Sequence, residues 1–196
     1  MLTAATCILR LNFSPAGTAD PPADTGADDH LNFVAYAPDC SLAGSLRMDA
    51  DRLTDMLNAA DEIELVDVVR LGLDGVLTEA GRTVIARAEL VAVKASPPRG
   101  NPAFRQRTRQ VPIVAGAGRY VIHGYLHGRP GADPMIHLGR RPAMVPLTEA
   151  AIAYETATGW RVDEAETLIV NRDRAESLRP ARDDELGRLR QLWGAA

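Results

Sequence analysis

The sequence predicts a mainly β protein of two tandem small antiparallel β-barrels with short helical inserts, followed by a C-terminal helix. Three observations lead to this prediction. Segments 63–71 and 84–93 are rich in Val, Ile and Leu with polar residues interleaved, as half-buried strands require. Gly72, Asp74-Gly75 and Gly81 provide turn residues between the two segments. The second half of the chain then repeats the pattern of the first.

The composition is that of an ordinary globular protein. The chain has 196 residues, of which 46% are hydrophobic and 24% charged, which argues against a fully disordered or a fibrous protein. No apolar run approaches the roughly 18–20 residues that a membrane span needs. Cys7 and Cys40 are too few for a disulfide framework or a zinc knuckle. We expect no secretory signal, no cofactor and a location in the bacterial cytoplasm.

Two segments divide the chain into domains. Residues 1–30 are predicted to be flexible, because 14–30 is acidic and proline-containing and offers little apolar surface to bury. An apolar strip within the first residues could still dock as an edge strand: Ile8, Leu9, Leu11 and Phe13. Residues 97–110 are rich in proline and arginine and are predicted to be a linker. The first barrel then covers 31–96, the second covers 111–179, and 180–196 holds the C-terminal helix.

The two halves align with each other over much of their length. Gly44 falls on Gly124, and an alternating strand follows each glycine. Leu65 falls on Leu147, and the segments around them match in pattern. We therefore predict an internal repeat, with chance similarity between two β segments as the alternative. The offset is 80 residues at the glycines, 82 at Leu65 and 78 at Leu90, where the strip Thr83–Val93 is matched to Thr167–Asn171.

Two segments have the spacing of amphipathic helices. Between the glycine strand and Ile63, apolar residues recur at helical intervals, and Asp51 is placed to cap the helix: Leu53, Met56, Leu57 and Ala60. The stretch from Pro180 to Trp193 also predicts a helix, with acidic residues at its start and arginines in its later turns. We expect this second helix to pack on its own domain, and a partner-binding helix is the alternative.

The positions matched between the halves resemble a known family. Met56-Leu57-Asn58 follows the first glycine strand and Ile136-His137-Leu138 the second, and the next strands end in Leu65-Val66-Asp67 and Leu147-Thr148-Glu149. This layout is similar to that of Sm-like proteins over residues 32–95 and 111–178. The family has a strongly bent five-stranded antiparallel barrel, with a bending glycine in the second strand and a Met-Asn pair before a strand with an acidic end.

The resemblance implies a barrel for each half and raises the question of RNA binding. The uridine pocket of Sm-like proteins uses the asparagine together with a basic residue that stands beside a glycine near the last strand. Asn58 matches the asparagine in the first half, whereas the second half has Leu138 there. The glycine and basic residue of the second signature are absent from both halves. The resemblance therefore favours the barrel more than the RNA pocket.

Three histidines in the second half could form a metal site. His123 and His127 alternate with Tyr125 on one predicted strand, so their side chains share a face, and His137 follows. Three histidines would leave an open position on zinc, as a metal-dependent or small-ligand enzyme needs. His123 and His127 are, however, about 13 Å apart along an extended strand, which is too far for one ion unless the strand bends.

Charge differs between the halves and gives the most useful functional clue. Residues 31–98 carry 6 basic and 11 acidic side chains, and residues 99–180 carry 12 basic and 8 acidic ones. Halves of opposite charge can attract each other within a chain or between chains. A basic second half could instead bind RNA or DNA phosphate through seven arginines: Arg99, Arg105, Arg107, Arg109, Arg119, Arg140 and Arg141.

The sequence has no recognisable nucleophile, base or cofactor loop, so we favour a non-enzymatic protein. We predict a binding or assembly module of unknown ligand that self-associates through barrel edges into a homo-oligomer, without a membrane partner. Nucleic-acid binding through the arginines is the first alternative. A small-ligand or metal-dependent enzyme at His123, His127 and His137 is the second.

Overall fold

The structure, a computed structural model, describes residues 30–96, 108–156, 159–182 and 184–194. These residues form ten strands in one antiparallel sheet and two α-helices. In the first half the elements are β1 (His30–Tyr36), β2 (Cys40–Arg47), α1 (Leu53–Ala59), β3 (Glu62–Gly72), β4 (Leu77–Ala86) and β5 (Ala92–Ser96). In the second half they are β6 (Arg109–Ala117), β7 (Tyr120–Gly128), β8 (Met144–Thr156), β9 (Gly159–Asn171), β10 (Ser177–Pro180) and α2 (Glu185–Gly194).

The strand order repeats within the sheet. The complete order is β10-β6-β7-β8-β9-β5-β1-β2-β3-β4. Each half is therefore a five-stranded unit in which the fifth strand lies beside the first, and the second, third and fourth strands follow. A three-residue 3-10 turn connects the fourth and fifth strands in both units, at Arg87–Glu89 and at Arg172–Arg174. The two halves thus share one topology.

The register of the strands repeats as well. Phe33 of β1 lies opposite Gly44, and Ile113 of β6 lies opposite Gly124, which is the predicted equivalence of the two glycines. Between the third and fourth strands, Leu65 lies opposite Thr83, and Leu147 lies opposite Leu168. The offset of 82 residues between Leu65 and Leu147 is therefore confirmed in the structure.

A bulge faces each of the two glycines and explains why glycine is needed there. A Cβ on Gly44 would lie 2.9 Å from the carbonyl oxygen of Val66, and one on Gly124 would lie 3.1 Å from that of Thr148. The next residue adopts a left-handed conformation in both strands, with φ of 53° at Asp67 and 46° at Glu149. The pairing shifts register at both places. Such bulges bend and twist a sheet.

The two halves share their hydrophobic cores. The first core is built mainly from β1 to β5 and α1, but it includes Met144 and Ile169 of the second half. The second core is built mainly from β6 to β9, but it includes Tyr36 and Ala92 of the first half. Each half therefore buries side chains that the other half contributes.

The ten strands form one continuous sheet, which corrects the prediction of two tandem barrels. β5 pairs with β9 across the boundary of the halves, so hydrogen bonding runs from one unit into the next. Within the described residues the sheet does not close into a barrel, because β4 and β10 lie at its two ends. The periodicity of single strands cannot reveal this joint, since it records only which face of a strand is buried.

The first helical insert forms α1, as predicted. Leu53 and Leu57 are buried in the first core, and Met56 packs against it. The predicted cap is wrong, because Arg52 occupies the N-cap position and no side chain caps the helix there. The corresponding insert of the second half contains a 3-10 turn at Leu138–Arg140 instead of an α-helix.

The apolar strip Thr83–Val93 is divided between two strands, which corrects the predicted segment 84–93. The chain leaves β4 at Ala86, makes the 3-10 turn and enters β5 at Ala92. Leu90 and Val91 stay buried, so the hydrophobic pattern continues through the turn and hides it. Leu90 therefore lies after the turn of the first half, whereas Leu168 lies before the turn of the second half, so these two residues are not equivalent. Matched residues of the two fourth strands, β4 and β9, are 85 positions apart instead of the predicted 78.

The remaining boundaries differ by a few residues from those predicted. α2 begins at Glu185, and Pro180, the predicted start of this helix, is the last residue of strand β10. β6 begins at Arg109, so the last residues of the predicted linker belong to the sheet, while 97–107 lie outside the described residues. The predicted flexible segment and its docking strip also lie outside them, apart from His30. Neither described helix has the length and apolar character that crossing a bilayer requires.

Candidate functional site

Of the seven arginines suggested for nucleic-acid binding, four are described by the structure, and Arg119 lies apart from the other three. Three of them are outside the described residues: Arg99, Arg105 and Arg107. Arg109 begins β6 opposite Gly128, and Arg141 donates a hydrogen bond of 2.7 Å to the carbonyl oxygen of His127. Arg140 is exposed beside Arg141. These described arginines lie at one end of the β6–β7 hairpin.

Arg119 lies at the opposite end of the same hairpin. It lies in the turn between β6 and β7, and β6 separates this turn from Arg109 by about 26 Å. Its guanidinium donates to the carbonyl oxygen of Glu155 and lies 5.8 Å from the ring centroid of Tyr120. These contacts give Arg119 a local packing role, and they place it apart from the other described arginines.

The three histidines do not form a metal site. His123 is buried in β7, and His137 is exposed in the loop before the 3-10 turn. His127 Nδ1 lies 2.6 Å from the hydroxyl of Thr108, and Nε2 lies 2.7 Å from that of Thr148. Burial lowers the pKa of His127. Across the described ranges no group of three or more His, Cys, Asp or Glu side chains could hold a metal ion.

The joint between β5 and β9 connects the two halves through both polar and apolar contacts. Val93 pairs with Ile169, and both side chains are buried in the first core. Next to this pair, the Nζ atom of Lys94, the only lysine of the chain, donates to the carbonyl oxygen of Glu164 at 2.5 Å. The joint thus combines strand hydrogen bonds with side-chain burial.

Asn171 secures the end of this joint. It is buried, and its Nδ2 donates to the carbonyl oxygens of Arg87 at 3.2 Å and Leu90 at 2.9 Å. Its backbone N–H donates to Val91, and its Oδ1 accepts the N–H of Asp173. One residue of the second half therefore bonds the turn between β4 and β5 of the first half, where unpaired carbonyls would be costly.

Asn58 makes a second connection between the halves. Its Nδ2 donates to the carbonyl oxygen of Met144, and its Oδ1 accepts the N–H of Met144, both at 2.9 Å. Nδ2 also donates to the carbonyl oxygen of Thr54 within α1. The asparagine that matched the uridine pocket in the resemblance is thus bonded to the backbone of this chain.

Three tyrosines and one carboxylate form a third connection. The hydroxyls of Tyr36 and Tyr154 both donate to Oδ2 of Asp163, at 3.1 and 2.9 Å. The hydroxyl of Tyr120 donates to the carbonyl oxygen of Ala37 at 2.6 Å. The three rings lie within 6.0 Å of each other. Burial, with the nearby Asp163 carboxylate, raises the pKa of Tyr36 well above its usual value.

Among the described strands, β4 and β10 stand at the two ends of the sheet. Within this part of the chain β4 pairs only with β3, and β10 pairs only with β6. β4 exposes Val84 to 59% and Leu77 to 51%, and Val76 beside it is exposed to 51%. These are large exposed hydrophobic side chains on an edge strand, a combination that invites pairing with another strand.

Comparison with known proteins gives no match to a family model, to a curated protein or to a solved structure. What these residues do therefore has to follow from their own contacts.

Sequence reasoning missed the side chains that hold the halves together. Asn171 ends an apolar strip immediately before Arg172 and Asp173, and a buried polar residue at a strand end is a signal for such a bond. Tyr36 and Tyr120 each sit at a strand end, without a pattern that links them. Only the pairing of β5 with β9 brings these residues together.

Proposed function

We propose that the protein is a non-enzymatic assembly module that self-associates through the two open ends of its sheet. The observation that carries this proposal is the joint between β5 and β9. It connects the fifth strand of one unit to the fourth strand of the other. The strands left open, β4 and β10, are the fourth strand of the first unit and the fifth strand of the second.

The repeated topology supports an Sm-like unit in each half. Both halves have five antiparallel strands with a close-packed glycine in the second strand. The family resemblance in the sequence was based on the same glycines and on the strand ends that face them. We interpret the chain as two such units joined edge to edge, with its outer edges available for further copies.

Charge supports a head-to-tail arrangement. β4 belongs to the half with 6 basic and 11 acidic side chains over 31–98, and β10 belongs to the half with 12 basic and 8 acidic ones over 99–180. A head-to-tail contact would therefore bring together two halves of opposite net charge. Such complementarity orients an encounter, while backbone hydrogen bonds and apolar contacts hold the pair.

Light scattering coupled to size exclusion, at low and high salt, tests the proposal. We expect a particle several times heavier than the 21.1 kDa chain under both conditions, because strand pairing and apolar burial are little affected by salt. A monomer under both conditions contradicts self-association. A particle that exists only at low salt contradicts edge pairing as the main contact. Absorbance at 260 and 280 nm on the same column separates bound nucleic acid from protein mass.

A further inference from the structure

Three side chains of the second half form a hydrogen-bonded relay: Thr108, His127 and Thr148. Nε2 of His127 lies 2.7 Å from the hydroxyl oxygen of Thr148, and Nδ1 lies 2.6 Å from that of Thr108. His127 and Thr148 are half-buried, whereas Thr108 is exposed. A neutral imidazole has one donor and one acceptor nitrogen, so one threonine donates to the ring and the other accepts from it.

The backbone does not need this relay, because the first half has the same backbone with other side chains. Arg47 occupies the place of His127 at an offset of 80 residues, and Val66 occupies the place of Thr148 at an offset of 82. Arginine offers only donors and valine has no polar group, so the two cannot form such a relay. The bulge next to both positions is nevertheless alike in the two halves. The relay is therefore an addition to the second half and has no structural counterpart in the first.

The bulge holds Thr148 on the solvent side of β8. Leu147 and Ala150, on either side of it, are buried in the second core. Thr148 is half-buried between them, and Glu149 is exposed. A small molecule can therefore reach the Thr148 hydroxyl from solvent without entering the core.

The surroundings of His127 keep its imidazole neutral near pH 7. Burial lowers the pKa of His127 below its usual 6.5; the carboxylate of Glu149 opposes this shift, and the guanidinium of Arg141 adds to it. A neutral imidazole can accept a proton, as a general base must. Arg141 also donates to the carbonyl oxygen of His127 at 2.7 Å, which fixes a positive charge beside the relay.

We propose that Thr148 is a covalent acylation site, at which His127 activates the threonine hydroxyl toward a short-chain acyl thioester. Thr148 is the nucleophile because the exposed Thr108 can give its own hydroxyl proton to water and accept the Nδ1–H of the ring. The result is a modified chain and not a turnover reaction. It goes beyond the proposed assembly and does not depend on it.

The transfer balances with the thioester as the only co-reactant. Nε2 of His127 takes the hydroxyl proton of Thr148 while Oγ1 attacks the carbonyl carbon, and a C–O bond forms. The C–S bond then breaks, and the thiol leaves with the proton that His127 held. One negative charge develops on the former carbonyl oxygen during the attack, and the nearby guanidinium of Arg141 can stabilise it. The product is an ester on Thr148.

Peptide mass spectrometry after incubation of the full chain with phenyl thioacetate tests the site. We expect one acetyl ester on Thr148. Its rate of formation should rise with pH to a plateau, with a midpoint below 6.5, because the neutral form of His127 is the base. Acetylation of Lys94 or of the N-terminal amine should instead keep rising into the alkaline range, because amines lose their protons there.

Two variants and a matched control separate the roles. Thr148→Val should remove the adduct and still fold, because Val66 occupies the same place in the first half. His127→Gln should slow the reaction roughly a hundredfold, as loss of a general base does. Thr167→Val is the control, since Thr167 pairs with Thr148 from β9 and is half-buried like it, and its rate should match the wild type.

The position of the adduct and its rate decide the outcome. Adducts confined to amines or cysteines overturn the site, and so does an ester on Thr108. An ester on Thr148 that forms equally fast in His127→Gln overturns the role of the histidine and the proposal with it. Light scattering of Thr148→Val should give the wild-type mass, so none of these results decides the proposed self-association.

Discussion

Single residues determine where this sheet bends. Gly44 and Gly124 allow the bulged strand opposite them to approach, and Asp67 and Glu149 adopt the left-handed conformation that the bulge needs. The two glycines could be matched from the sequence, because glycine is conspicuous in an apolar strand. The positive φ at Asp67 and Glu149 could not be predicted, because acidic side chains at strand ends are common on solvated surfaces whatever their backbone conformation.

Replacing either bending glycine should destabilise the fold. Gly44→Ala places a Cβ 2.9 Å from a carbonyl oxygen, and Gly124→Ala places one 3.0 Å from the Cβ of Ala150. We expect each to lower the free energy of unfolding by about 1–3 kcal/mol, the usual cost of overpacking. Urea unfolding followed by circular dichroism measures it. Gly139→Ala is the control, because no atom lies within 4 Å of its Cβ; an equal loss there would contradict the steric explanation.

At the scale of elements, helix α1 is fixed by two different interactions. Leu53 and Leu57 place its apolar face on the first core, which the helical spacing predicted. Asn58 then binds the backbone of Met144 at the start of β8, 86 residues further along the chain. The sequence predicted the amphipathic face from periodicity, but a bond over this separation depends on the pairing of β5 with β9.

The substitution Asn58→Ala should loosen α1 and weaken the connection between the halves. It removes the side-chain partners of both the N–H and the carbonyl oxygen of Met144. We expect a loss of about 1–3 kcal/mol in the free energy of unfolding. Hydrogen exchange should show faster exchange of the Met144 amide in particular. Asn32→Ala changes an exposed asparagine of β1 and serves as the control. Unchanged protection at Met144 would show that the bond contributes little.

At the scale of the whole molecule, the two halves behave as one sheet because buried side chains cross their boundary. Tyr36 of the first half binds Asp163 of the second, and Tyr120 of the second binds Ala37 of the first. Burial raises the pKa of Tyr36, Tyr120 and Tyr154 above the usual value of 10.0. The neutral phenols therefore stabilise the joined arrangement.

This arrangement predicts a loss of stability at alkaline pH. Above pH 10.0 the unfolded chain releases phenol protons that the folded chain retains, so the free energy of unfolding falls as the pH rises. Urea unfolding between neutral pH and alkaline pH, with tyrosinate absorbance, measures this slope. Tyr36→Phe should reduce the slope by about one proton and lower the stability at neutral pH. A folded protein whose phenols all ionise at the ordinary pKa would contradict the prediction.

The sequence alone determined the β class, the two halves, the matched glycines and the helix α1. Each of these depends on residues that are near one another in the chain, where apolar periodicity and turn residues record local geometry. Tertiary structure decided how the halves meet. The pairing of β5 with β9, the turn inside the strip Thr83–Val93 and the bonds of Asn171 and Tyr36 all join distant residues. These contacts are stabilised by side chains that become buried where the two halves meet, and no local pattern in the sequence encodes that burial.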